Sequence, residues 1–233
     1  WLLPAWPGRF TGTAQLEAQV GPEPGAQFTA ANLTGELRDH ALTLRGDAAV
    51  TLPSRWRFAG TRIEAGDSAA TIDGTLDASG DDGAIALTIA ANDAKLAVLL
   101  PGVGGTVSTE LEIDGTFGQP RAAGRIEARG VDVRGFTAAR LSVAGMAGLA
   151  LDTPVQLTIE GDRLTRGSIV AATVRGDLTG TTRAHRLNLG ARADQWLATL
   201  GVAGGVDDTG LWNGTVERFE FDELTLGQWR LAE

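Results

Sequence analysis

The sequence has no cysteine and no tyrosine, and its only lysine is Lys95. Without cysteine the chain can form no disulfide, thiolate metal site or cysteine nucleophile. Its net charge is -9 and its arginines are scattered singly, so it lacks the basic patch that a nucleic-acid-binding protein needs. No stretch reaches the roughly 18 to 20 apolar residues of a membrane-spanning helix. The sequence therefore predicts no nucleic-acid partner.

Residues suited to catalysis or metal binding are also scarce. The two histidines, His40 and His185, lie in no metal-binding or general-base motif. The acidic pairs at residues 81–82 and 207–208 lie near glycines and lack the spaced oxygen ligands of a calcium site, so they are predicted to be solvated turns. We therefore predict a protein that is not an enzyme and has no metal or other cofactor.

The strongest pattern present is strict alternation in residues 107–114. Four residues predicted to share one face of a strand are Val107, Thr109, Leu111 and Ile113, and the residues between them are polar. After a turn at residues 115–120 the chain returns with a second alternating run. This predicts a half-buried hairpin.

One charge pair fixes the register of that hairpin. Placing Asp114 opposite Arg121 also places Glu110 opposite Arg125 on the polar face. On the other face the same register pairs Leu111 with Gly124 and Thr109 with Ile126.

Short alternating runs separated by Gly, Asp or Pro fill the remainder, while the first ten residues are too rich in Pro and Trp for regular structure. Strands are predicted at residues 14–18, 28–33, 37–44, 48–52, 56–63, 71–78, 85–90, 140–143, 155–159, 168–174, 186–190, 212–221 and 224–231. Short helices are predicted at residues 94–100 and 194–200. With no linker-like stretch, residues 1–233 are predicted to form one long antiparallel meander with one apolar face. Alternation by itself favours the closed core of a β-sandwich over an open groove.

A resemblance rests on longer motifs. LAVLLPGVGGTVSTELEIDGTFGQPRAAGRIEARGV (residues 96–131) resembles a recurring element of the TamB family of AsmA-like proteins. Further segments resemble that family in the same order: LTGELRDHALTLRG (33–46), AATIDGTLDA (69–78), VRGDLTGTTRAHRLNL (174–189) and GLWNGTVERFEFDELTLGQWRL (210–231). The resemblance implies a β-taco, a long curved antiparallel sheet with an apolar groove, forming one elongated segment of a longer periplasmic protein anchored in the inner membrane of a Gram-negative bacterium.

The resemblance also implies a function. A groove would carry phospholipid acyl chains between the inner and outer membranes. Its expected lining is Val107, Thr109, Leu111, Ile113, Ile126, Ala128, Val155, Leu157, Ile159, Leu187 and Leu189. A barrel partner similar to TamA or BamA would be contacted through parts of the parent chain absent here. The alternative is a structural scaffold with a closed core, which assists translocation and insertion of outer-membrane β-barrel proteins and autotransporters.

Overall fold

The computed structural model describes residues 8–21, 24–37, 40–51, 54–78, 82–100, 102–148, 150, 152–207, 209–225 and 227–231. These residues form one 15-stranded sheet and one short helix, α1 (Leu96–Leu99). The strands are β1 (Gly8–Gln19), β2 (Gly25–Leu37), β3 (His40–Thr51), β4 (Arg55–Ala65), β5 (Ser68–Asp77), β6 (Ala84–Lys95), β7 (Gly104–Thr116), β8 (Pro120–Val133), β9 (Phe136–Gly148), β10 (Pro154–Arg166), β11 (Ile169–Thr181), β12 (His185–Arg192), β13 (Trp196–Val206), β14 (Trp212–Glu223) and β15 (Gly227–Arg230).

The strands follow one another across the sheet in sequence order, and each pairs antiparallel with its neighbours. The predicted class, a mainly β protein built as one long curved antiparallel sheet, is confirmed. The register predicted for the central hairpin is also confirmed, from Asp114 opposite Arg121 to Thr109 opposite Ile126. Arg121 Nε donates a hydrogen bond of 2.8 Å to Asp114 Oδ1.

The two predicted helices need correction. The first is shorter than residues 94–100, because Ala94 and Lys95 still pair with β7 and only four residues turn helical. The second, at residues 194–200, is wrong, since Trp196 begins strand β13. The backbone N–H and C=O groups of β13 form hydrogen bonds with β12 on one side and β14 on the other. This pairing overrides the moderate helix propensity of the residues in β13.

Two strand boundaries also differ from the prediction. Residues 37–44 and 48–52 were predicted as separate strands, whereas β3 runs unbroken from His40 to Thr51. Gly46, the predicted break, has a φ of 123° and lies within the strand, a conformation that glycine adopts without steric cost. Of the first ten residues, 1–7 lie outside the described part, and 8–10 belong to β1 rather than to an irregular segment.

Bulges keep the apolar side chains on one face of the sheet. In β4 the apolar positions change from even numbers (Trp56, Phe58) to odd numbers (Thr61, Ile63) across a register shift at residues 59–60. The Gly60 amide, displaced from the ladder there, donates to Asp73 Oδ1 at 2.6 Å. Bulges of this kind bend a strand and increase its twist, so they contribute to the curvature of the sheet.

The buried core is small and lies beside α1. Its members are Ala91, Ala94, Leu96, Val107, Val131 and Ala138, of which Ala138 is the least exposed at 2%. Among the described residues no large side chain is fully buried. The chain exposes 15226 Å², whereas a compact protein of this mass exposes about 10,000 Å². A closed sandwich would bury large side chains between two sheets, whereas the described part of the chain forms a single sheet.

Candidate hydrophobic groove

The apolar face carries continuous rows of uncharged residues that run across the strands. A central row passes through the register partners Thr61, Ile72, Ile89, Leu111, Gly124, Gly145, Leu157, Leu178, Leu187, Val202 and Val216. It extends from β4 to β14. At about 4.8 Å between neighbouring strands, its ten steps cover about 48 Å measured along the sheet.

A second row lies two residues from the central row along each strand, except on β14, where a bulge makes the spacing three. Its members are Leu33, Leu44, Ile63, Ala70, Ala91, Thr109, Ile126, Val143, Ile159, Gly176, Leu189, Leu200 and Phe219. Neither row contains a charged residue, and their only polar side chains are the hydroxyls of Thr61 and Thr109. The two rows therefore form an uninterrupted apolar strip, which we call the groove strip.

All eleven residues predicted to line a groove lie on this face. Val107 and Val155 are buried, Ile126 is 40% exposed, and the other eight are half-buried. Six of them, on β7 and β8, are linked to the three on β10 through β9. The structure therefore brings the predicted residues onto one surface, and their contact with lipid is a proposal argued below.

Several residues of the groove strip were missed by the sequence-based prediction. Val143 joins Ile126 to Ile159, although residues 140–143 were already predicted to form a strand. Leu200 was hidden inside the helix wrongly predicted at residues 194–200. Ile89 could have been predicted from the sequence, because larger apolar residues alternate with Ala or Thr in residues 85–90 and Ile89 is one of them.

Two adjacent glycines leave the centre of the groove strip without side chains. Gly124 and Gly145 are register partners between Leu111 and Leu157, with φ values of 143° and 134°. A Cβ atom at either position would overlap a carbonyl oxygen of the next strand. These glycines are therefore required by the close approach of the strands, and they leave open space between two leucines.

The sequence was compared with models of known protein families. The family model described as TamB, N-terminal domain, matches residues 2–233.

The chain belongs to the TamB family. TamB-family proteins lie in the periplasm, are anchored in the inner membrane, are associated with TamA-like partners, and act without catalysis in outer-membrane protein assembly or lipid transport. No solved structure matches the chain. In the part of this TamB-family chain that the structure describes, no helix is long and apolar enough to cross a membrane.

The opposite face of this TamB-family sheet is polar. Its central feature is Glu127, 16% exposed, which accepts hydrogen bonds from Arg140 Nη2 at 2.6 Å and Arg129 Nε at 2.9 Å. These bonds, that from Arg140 foremost, hold the pKa of Glu127 below its ordinary value. Cross-strand pairs of opposite charge thus cover the outside and leave the apolar side chains on the other face.

The ends of β11 to β14 form a cleft of about 910 Å³, whose lining includes His185 and Asp207. His185 Nδ1 donates to the carbonyl oxygens of Thr181 and Thr182, both at 3.2 Å, and His185 Nε2 accepts from Trp212 Nε1 at 2.9 Å. Both ring nitrogens are therefore engaged within the protein.

Asp207 organises the neighbouring turn. It accepts hydrogen bonds from Thr209, Leu211 and Asn213, and the bond from the Thr209 hydroxyl is the foremost cause of its lowered pKa. No group of three potential metal ligands occurs among the residues described. Asp81, Asp208 and the side chain of His40 lie outside the described part.

Proposed function

We propose that this chain is a segment of a periplasm-spanning bridge, and that its hydrophobic groove carries phospholipids between the inner and outer membranes. One observation supports this above all: the groove strip is free of charge along its whole length, and most of its residues are half-buried or exposed. Family membership supports the same role, because lipid transport is one of the two roles that the TamB N-terminal domain suggests.

The energetic need for such a groove comes from the acyl chain. Each methylene that leaves an apolar environment for water costs about 0.8 kcal/mol, so a chain of 16 carbons costs about 13 kcal/mol. Across the periplasm that cost is a prohibitive barrier. An apolar strip about 48 Å long along the sheet replaces most of the apolar contacts that an acyl chain loses when it leaves a membrane. The acyl chain can therefore advance along the strip without being fully hydrated.

The chemistry of the strip suits movement rather than tight binding. Its members are mostly Leu, Ile, Val, Ala and Gly, and no charged group lies in either row. Sites for specific ligands normally carry a few convergent polar groups that fix orientation. A strip without them holds acyl chains through contact area alone and gives no position along its length a deep energy minimum. The polar headgroup would then lie outside the strip, in water.

Side-chain burial favours this open groove over a closed core. In a closed core, Leu111 and Ile126 would be covered by a second sheet, whereas Leu111 is half-buried and Ile126 is 40% exposed. Contiguous apolar side chains that remain accessible to water are typical of an interaction site.

A second candidate function is an assembly scaffold for outer-membrane β-barrel proteins. Family membership favours it, because the roles suggested for the TamB N-terminal domain include outer-membrane protein assembly.

Photo-crosslinking tests the lipid proposal. A photoreactive amino acid is placed at Leu111 or Ile126 on the groove strip, and at Glu110 or Glu112 on the polar face as matched controls. After irradiation of cells that produce the protein, mass spectrometry should find phospholipid attached at the first two positions and not at the controls. Equal labelling of both faces, or no lipid on either, contradicts the proposal.

A further inference from the structure

A cavity of about 210 Å³ lies on the polar face, between β9, β10 and β11 in the interior of the sheet. Strand β8 flanks it on one side and β12 on the other, so all the strands around it are paired. The charged and hydroxyl side chains that line it are those of Arg140, Ser142, Glu160, Asp162, Thr173 and Arg175.

Two polar groups in this cavity are buried and unpaired. Ser142 is 4% exposed, and its hydroxyl forms no hydrogen bond with any residue that the structure describes. Arg140 donates to Glu127 from Nη2, but its Nε is buried and has no hydrogen-bond partner in the described part of the chain. Because buried polar groups in folded proteins are almost always hydrogen-bonded, these two groups point to a ligand in the cavity.

Opposite charges around the cavity are held apart. Asp162 lies opposite Arg140 in the register of β9 and β10, and Glu160 lies opposite Arg175 in the register of β10 and β11. Neither pair forms a salt bridge, although other cross-strand charge pairs on this face do. The pKa of Arg140 is raised first by its hydrogen bond to Glu127. The two carboxylates in the cavity raise this pKa further, so they lie near enough to act on the guanidinium group through space.

We propose that this cavity binds a small zwitterion, a soluble molecule with one ammonium group and one oxyanion. The oxyanion accepts hydrogen bonds from Arg140 Nε and the Ser142 hydroxyl and is attracted by the charge of Arg175. The ammonium group donates to the carboxylates of Glu160 and Asp162. A simple anion would be repelled by the two carboxylates, and a metal ion by the two guanidinium groups, so a ligand with both charges fits the cavity best.

The size and position of the cavity limit the ligand further. A water molecule occupies about 30 Å³ in the liquid, so the 210 Å³ of the cavity equals about seven waters, which is room for a free amino acid and too little for a peptide. Ile159 of the groove strip and Glu160 of the cavity are adjacent residues on opposite faces of β10. The sheet therefore separates the cavity from any acyl chain in the groove, and this proposal does not rest on lipid transport.

Nuclear magnetic resonance of the purified wild-type protein tests the site through the Nε–H signal of Arg140. The probes are L-alanine, whose oxyanion is a carboxylate, and phosphoethanolamine, whose oxyanion is a phosphate. The control is an equimolar mixture of acetate and methylammonium, which carries the same charges on separate molecules. At least one zwitterion should shift the Arg140 signal saturably and slow the exchange of that proton with water at least tenfold. The mixture should bind at least tenfold more weakly, and the signal of Arg218, which pairs with Glu220 on β14, should not move.

Two variants test which groups hold the ligand. Asp162→Asn removes a partner of the ammonium group, and Ser142→Ala removes the buried hydroxyl, so each should weaken binding of the zwitterion at least tenfold. Asp177→Asn is the matched control, since this carboxylate is on the same face of β11 but outside the cavity, and it should bind within threefold of wild type. The wild-type titration decides the matter even if a variant does not fold. No saturable shift with either zwitterion, equal binding of the acetate and methylammonium mixture, or equal weakening by Asp177→Asn would each overturn the proposal.

Discussion

Replacing Leu111 with arginine tests the groove most directly. Leu111 lies in the central row between Ile89 and Gly124 and is half-buried. The longer arginine side chain can reach water from an empty groove, but it places a charge among acyl chains when the groove is filled. We therefore expect Leu111→Arg to affect lipid occupancy far more than folding.

The two effects have different magnitudes. Full burial of a leucine side chain contributes about 1.5 to 3 kcal/mol, so loss of a half-buried one should destabilise the protein by about 1 to 1.5 kcal/mol. A charged side chain within hydrocarbon costs about 2.5 to 3.5 kcal/mol on insertion scales. At about 1.4 kcal/mol for each factor of ten, lipid occupancy should fall about 60- to 300-fold.

The assay compares lipid recovered with the purified protein, quantified by mass spectrometry, with the denaturant midpoint of the same sample. Glu112→Arg is the matched control, since it introduces the same side chain one residue away on the polar, exposed face. It should leave both quantities near wild type. If Leu111→Arg retains wild-type lipid and stability, or if both variants lose lipid equally, then this face does not hold acyl chains.

Three further changes test the fold. Gly124→Val should destabilise the protein by more than about 2 kcal/mol in urea unfolding, because the residue has a φ of 143° and a Cβ atom there would overlap the Glu110 carbonyl oxygen. Gly190→Ala should be neutral, because a Cβ atom at that position has no atom within 4 Å. Leu96, the first residue of α1, belongs to the buried core, so Leu96→Ala should lower the free energy of unfolding by about 2 kcal/mol or more in thermal unfolding. Leu100→Ala, at an exposed position, should lower it much less. Glu127→Gln should lower stability at pH 7. Because the folded-state pKa of Glu127 is lowered, its stabilisation is present above the ordinary value of 4.5 and lost as pH falls through the lowered value, so the stability curves of variant and wild type should converge in acid.

The central hairpin was predictable because independent signals agreed there. Apolar alternation, the Asp114–Arg121 pair and the Glu110–Arg125 pair all require one register, and a shift by one residue would have broken every one of them. Where only local propensity was available, prediction failed. The residues around Trp196 are moderate helix formers, and nothing local shows that strands flank them on both sides.

A bulge explains the break that was wrongly predicted within β3. A strict period of two stops at Gly46, where the pairing of β3 with β4 shifts register, although Gly46 lies within the strand. The residues on β7, β8, β10 and β12 that were predicted to line a groove share one face because alternation is unbroken there. A sequence pattern contains no information on whether a second layer covers the apolar face, so the openness of the sheet could not be predicted from alternation.

The strictly sequential strand order has a consequence for how such a protein can change in length. In the part of the sheet that the structure describes, the backbone of each strand pairs only with the strands next to it in sequence, so the molecule resembles a one-dimensional array whose stability is mainly a sum of neighbour terms. Insertion or deletion of one hairpin would alter the array by about 10 Å and leave the remaining pairings intact. The length of the proposed periplasmic bridge could thus be adjusted hairpin by hairpin, without redesign of any distant part.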